Sequence, residues 1–368
     1  MTTTSRPLQS CLLTGVALAL AAASSLGAAV PSATAAATQA PSRQSSAADP
    51  ARLVIKVSKA EGCGVNAWDQ RYAVVVDSPV LASRGIYQVH GSDPQHQTDA
   101  KAADKLAGKL EKQGCVVYAE PDADLHLADT QFHSWQFHSW DGNSPKASGS
   151  GNWKTQGATE QLGLAEAQTR SEGAGITVAV LDTGIDAAHP ALTGRLRPGY
   201  DYVSDDADPA DVATGVDSDA DGHADSAVGH GTFTAGLVTL VAPKARVLPY
   251  RVLDSDGNGN VFTIAQAILD AADAGADIIN LSFGTDSATQ SDLITDALKM
   301  VYKRGVVVVV AAGNSGTDTP SYPASLSTVI SVGALDEAGT GLATFSGRGR
   351  WVSVAAPGTA IIGPVPGN

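Results

Sequence analysis

Basic residues are scarce in the second part of this chain, and none lies between Arg197 and Lys244. Residues 1–155 carry equal numbers of acids and bases, so the whole net charge of −14 falls on residues 156–368. A surface of that sign excludes nucleic acid and anionic membrane as partners of the second part. That part also lacks cysteine, which confines any disulfide to the region before residue 155. No second apolar stretch or stop-transfer pattern follows residues 12–30, so nothing supports a membrane-anchored chain.

The N-terminus has the composition of a leader. Arg6 is the only charge before Arg43, residues 12–30 are apolar and alanine-rich, and Ala33-Thr34-Ala35 offers small residues for cleavage. This is the pattern of a secretory signal peptide, taken as residues 1–35. Cys11 lies ahead of the apolar run, where a lipoprotein cleavage site does not fit. Only Cys63 and Cys115 survive processing, and an oxidising exterior would allow them to pair.

A length of 368 residues corresponds to roughly two domains. Residues 36–50 are rich in Ala, Ser, Thr and Gln and read as a disordered linker. Residues 51–126 read as a small α/β unit. It has strands over 52–59, 73–76 and 115–119, and an amphipathic helix over 99–113 that places Ala103, Leu106 and Leu110 on one face. Residues 127–155 hold a duplicated Gln-Phe-His-Ser-Trp (131–135 and 136–140) ahead of a Gly/Ser-rich run. The five-residue repeat fits neither helix nor strand spacing, so a linker is preferred to a metal or aromatic site. From residue 156 onward, strands and helices alternate. Strands are expected over 176–181, 246–253, 278–282, 306–312, 329–332 and 352–355, with helices over 162–169, 231–241, 261–274 and 291–304. Such alternation implies a parallel sheet with helices on both faces.

Four stretches carry chemistry. Residues 176–186, Ile-Thr-Val-Ala-Val-Leu-Asp-Thr-Gly-Ile-Asp, form a fully apolar strand that delivers Asp182 to the sheet's C-terminal edge, where open α/β folds place their sites. Alone, Asp182 would be read as a turn cap. Gly229-His230-Gly231-Thr232 starts an apolar helix with a histidine between glycines. Residues 306–314 run from five valines through Ala311-Ala312-Gly313 into Asn314, and Asn280-Leu281-Ser282-Phe283-Gly284 leaves another strand. Taken separately these are turn signals; taken together they supply a carboxylate, an imidazole and an amide donor. The carboxylate fixes the imidazole tautomer, the imidazole moves the nucleophile's proton, and the amide stabilises an oxyanion.

In these motifs and their order, Asp then His then Asn, residues 156–368 resemble a subtilisin-family (subtilase) serine protease. The resemblance implies an α/β, subtilisin-like three-layer fold with a mostly parallel central sheet and its C-terminal part missing. It puts Asp182 and His230 in the catalytic triad, Asn314 at the oxyanion, and Ser282, Phe283 and Gly284 opposite Ala311, Ala312 and Gly313 as walls of the substrate pocket. Residues 247–259 resemble the strand and loop that bind substrate backbone. Phe233-Thr234 departs from the commoner His-Val. Residues 51–126, ending in Val117-Tyr-Ala-Glu-Pro-Asp122, resemble the family's inhibitory propeptide, an α+β ferredoxin-like domain. That implies a secreted, monomeric zymogen acting on protein or peptide substrates, inhibited by its own propeptide in cis, with no membrane partner after leader cleavage.

One family element is absent: no Gly-Thr-Ser occurs anywhere in the chain. Gly358-Thr359-Ala360 imitates the motif, but Gly363, Pro364 and Pro366 forbid the helix that should follow. The nucleophile is therefore expected beyond Asn368, and this chain is expected to be inactive as it stands. A rival reading makes it a non-catalytic pseudoprotease or a propeptide-type inhibitor. No cofactor is expected for catalysis. Asp217, Asp219, Asp221 and Asp225 match positions of a calcium loop, with Val228 where the last ligand should be, which makes them a candidate structural calcium site.

Overall fold

The structure, a computed structural model, describes residues 51–58, 63, 74–78, 81–93, 100–127, 138–139, 153–285 and 290–367. The leader, the 36–50 linker and nearly all of the duplicated pentapeptide lie outside the described residues. Of that duplication only the backbone of His138–Ser139 is described, paired in parallel with Ile362–Gly363. Two compact units are present, one drawn from residues 51–123 and 291–293, the other from 124–290 and 294–367.

The smaller unit is an antiparallel four-stranded sheet in the order Val74–Ser78, Ile86–Gly91, Leu53–Val57, Val116–Pro121. The helix Ala100–Leu110 buries Ala103, Ala107 and Leu110, spaced to share one helical face, in a cluster with Leu53, Ile55 and Val89. The strand Ile86–Gly91 is not foreshadowed by periodicity, because Val89 and its neighbour Gln88 are both buried and the alternation is broken. Cys63 and Cys115 are joined by a disulfide.

The larger unit is built on a seven-stranded sheet with Thr177–Asp182 near its middle. Its neighbours Ile278–Leu281 and Arg246–Arg251 both run parallel to it. All six of its residues are buried, which is why the sequence shows a continuous apolar run there instead of alternation. Val178 and Val180 face a cluster holding Trp153, Leu164, Phe233 and Leu237, contributed by the helices on that side. The alternate residues Ala179 and Leu181 are equally inaccessible, and the helix Val261–Asp273 packs against the strand. Each fully buried aliphatic side chain of this kind contributes about 1.5–3 kcal/mol. The result is the three-layer α/β fold.

Two boundaries differ from the sequence reading. The helix expected over 162–169 runs over Leu164–Arg170, and a separate short helix, Gly157–Gln161, precedes it; Gly163 between them, at φ 59°, has a left-handed conformation no helix continues through. Trp153 was placed in the linker, yet only 4% of it is exposed, and its side chain fills the core. Gln156 fastens this stretch: its Nε2 donates to the carbonyls of Trp153 and Ile362, and its Oε1 accepts from Ile362 N–H.

Candidate active site

The strand Thr177–Asp182 ends on a carboxylate with no exposed surface. Opposite it, His230 opens the helix His230–Val241 and is also buried. His230 Nδ1 lies 2.6 Å from Asp182 Oδ1, and Thr183 N–H donates to the same oxygen at 2.8 Å. A buried carboxylate at that distance holds a proton on Nδ1 and leaves Nε2 as the basic nitrogen. The two residues are 48 positions apart in sequence, and the fold brings them together as the motifs imply.

The start of a helix leaves backbone N–H groups without intrahelical partners. Here they are met from outside the helix. Gly231 N–H donates to Thr183 Oγ1. Gly229 and Thr232 N–H donate to Asp211, as does the Thr232 hydroxyl at 2.8 Å. Thr183 Oγ1 also donates to Asp211, at 3.3 Å. Burial pushes the Asp211 carboxyl above its usual range, and the donors from Gly229 and Thr232 pull against that. The sequence reading missed this residue.

The other expected residues gather at the same sheet edge. Leu181 pairs with Leu281, and Leu281 with Val310, so Asp182, Ser282 and Ala311 follow in one transverse row. The strand expected over 278–282 ends at Leu281, and a further strand, Phe283–Gly284, follows; Ser282 between them accepts from Asn280 Nδ2 at 3.0 Å. Ala312 and Gly313 are buried, and Asn314 beyond them is half-exposed. A Cβ on Gly284 would lie 3.2 Å from Ser321 Oγ, and one on Gly313 would lie 3.4 Å from the same atom. The two stretches expected to form the pocket walls therefore converge on Ser321, which carried no signal in the sequence.

A short antiparallel sheet adjoins them. Asp124–Leu127 is its middle strand, between Asn258–Asn260 and Phe283–Gly284. Leu125 is buried, and His126 Nδ1 meets Asn258 Oδ1. Its backbone pairs with both flanking strands, as an added strand does at an open sheet edge.

Of the four acids read as a calcium loop, Asp217, Asp219 and Asp221 present carboxylate oxygens within 4.8 Å of one another, all exposed. Asp225 is turned to other work, accepting from the N–H groups of Thr214 and Gly215. Gly358-Thr359-Ala360 is followed by the two-residue strand Ile362–Gly363 and not by a helix. Pro364 closes against the active-site helix, since a Cβ on Gly236 would lie 1.9 Å from its Cγ.

Residues 173–367 match the family model described as the subtilase family. Thermophilic serine proteinase of Bacillus sp. (strain AK1) is 43% identical over 204 residues, 53% of this chain and 46% of that protein. Thermitase of Thermoactinomyces vulgaris is 36% identical over 206 residues, 53% of this chain and 67% of the relative. The crystal structure of fervidolysin from Fervidobacterium pennivorans, described as a keratinolytic enzyme related to subtilisin, is similar with a TM-score of 0.61 and 25% identity over 87% of this chain. The match spans 48% of that fervidolysin chain, so this chain covers about half the length of several of its relatives.

Proposed function

This chain belongs to the subtilase family, and from that premise we propose that it is the zymogen of a secreted serine endopeptidase. The observation that carries the reading is the buried pair of His230 Nδ1 and Asp182 Oδ1, 2.6 Å apart. In this role Asp182 orients the imidazole. His230 takes the proton of a serine hydroxyl and returns it to the leaving amine. The Asn314 side chain donates to the oxyanion. Ser282–Gly284 and Ala311–Gly313 receive the side chain before the scissile bond. Neither wall carries a charge, which favours an apolar residue there.

The nucleophile is placed C-terminal to Asn368, because the 368 residues contain no Gly-Thr-Ser. Without it the pair has nothing to deprotonate, and triad members act as a unit. Residues 51–126 are read as the propeptide. In support, Asp124–Leu127 lies between two strands as a substrate backbone would. Residues 1–35 direct secretion, and among the described residues no helix is long and apolar enough to cross a membrane. Catalysis by this scheme requires no cofactor. A structural calcium ion at Asp217, Asp219 and Asp221 fits their hard oxygen donors; it should raise the thermal midpoint of the chain, and a calcium titration without such a rise would refute it.

A fluorophosphonate probe labels a serine only when its base activates it. The product of the reading frame extended past codon 368 should be labelled, and His230→Ala should abolish the label. The 368-residue chain should take none. A stop codon directly after codon 368 would sink the placement of the nucleophile.

A further inference from the structure

We infer that Asp211 is a positioning residue for the Asp182–His230 pair, an assignment that rests on the catalytic reading of that pair. Its carboxylate collects donors from the two backbone segments that carry the pair. Thr183, the residue after Asp182, donates its hydroxyl at 3.3 Å. Gly229, the residue before His230, donates its N–H at 3.1 Å. Thr232, in the first turn of the helix, donates its hydroxyl at 2.8 Å and its N–H at 3.4 Å. Two cross-links complete the assembly: Gly231 N–H donates to Thr183 Oγ1, and Asp186 N–H donates to Thr232 Oγ1. Every residue from 229 to 232 except His230 is thus tied to the turn after Asp182 or to Asp211. The imidazole is the one side chain of that stretch aimed at Asp182.

Asp211 is itself fixed. Its N–H donates to Ile185 O, and Ile185 N–H donates to Pro209 O, so the chain on both sides of it is held to the turn after Asp182. Only 7% of its surface is exposed. Gly229 is the helix N-cap, at φ 99°, and has no side chain with which to cap the helix. Asp211 supplies from a distance the acceptor an N-cap side chain would offer, and a carboxylate at a helix N-terminus is favoured by the helix dipole. Its position gives it a second consequence. Asp211 and Gly229 bracket the exposed acidic loop that holds Asp217, Asp219 and Asp221. The carboxylate thus ties the two ends of that loop together.

The test uses the full 368-residue chain and the proton resonance of the hydrogen-bonded His230 imidazole, assigned by its loss in His230→Ala. Native protein should show that resonance far downfield. Asp211→Asn should lose it, or move it to the range of an imidazole without such a bond, while the far-ultraviolet circular dichroism stays native. Asp208→Asn, in an exposed residue of the same segment, should leave it in place. If the resonance is missing from the native chain, the catalytic reading of the pair fails. If it is present there and unchanged in folded Asp211→Asn, the assignment of Asp211 is overturned and the catalytic reading survives. Should Asp211→Asn not fold, Thr232→Ser and Thr232→Val decide. Loss only in the valine variant supports the clamp, and equal signals in both refute it.

Discussion

The carbonyl of Gly184 and the Cα of Gly231 are in such close contact that a Cβ on Gly231 would lie 2.0 Å from the Gly184 oxygen. This is where the turn after Asp182 meets the helix that begins at His230. Gly231→Ala must push the two backbones apart, and overpacking of this kind costs about 1–3 kcal/mol. The denaturation midpoint should fall accordingly, and the downfield imidazole proton should be lost with it. An alanine variant of native stability would show that the contact is loose.

Asp201 and Arg251 form an ion pair at 2.9 Å with side chains 3% and 4% exposed. Arg251 pairs in register with Asp182 on the neighbouring strand. Asp201 Oδ1 is occupied by the N–H groups of Val203 and Ser204. Asp201→Ala should destabilise the larger unit by about 3–5 kcal/mol, because it leaves a buried guanidinium without its partner. Chemical denaturation measures this. A loss under about 1 kcal/mol would mean that the pair is solvated like a surface bridge.

Burial raises the Asp211 carboxyl above its unfolded value. The folded state therefore binds that proton more tightly than the unfolded state does, so stability falls as pH rises from the unfolded pKa through the raised one. Asp211→Asn removes the titration. Relative to this variant, native protein should be most favoured at acid pH and lose ground toward neutrality. Denaturant unfolding of both at several pH values reads the difference directly, and a gap that widens with pH would reverse the sign. The expected trade is a positioning carboxylate held at some expense of stability.

The bond between Cys63 and Cys115 spans 52 positions. Constraining the unfolded chain over a loop of that size stabilises by about 2–4 kcal/mol. Reduction, or the double serine variant, should make residues 51–123 the first part of the molecule cut by an added protease. Unchanged cleavage rates would place their stability elsewhere.

The sequence exposes the parallel sheet and the Asp182–His230 pair for one reason. A strand buried on both faces must be apolar throughout, so the break at Asp182 stands out. A histidine between glycines at a helix start stands out in the same way. Asp211 does not, because it is one of nine acids between Asp201 and Asp225, and the burial it shares with Asp201 leaves no mark in the sequence. The strand Asp124–Leu127 is hard to see for another reason: its partners lie more than 100 residues away, and the alternation of Leu125 and Leu127 with Asp124 and His126 is only four residues long. Ser321 lies beside Gly284 and Gly313 through the close approach of those two glycines, a property of the backbone path alone.

On the proposed reading, these 368 residues hold the supporting members of a serine protease site without its nucleophile. Hydrolysis of casein and of short peptides by the 368-residue chain, beside its His230→Ala variant, tests it most directly. Neither protein should show turnover above buffer. Turnover by the chain that His230→Ala abolishes would contradict it, and would mean that a nucleophile already lies within the sequence.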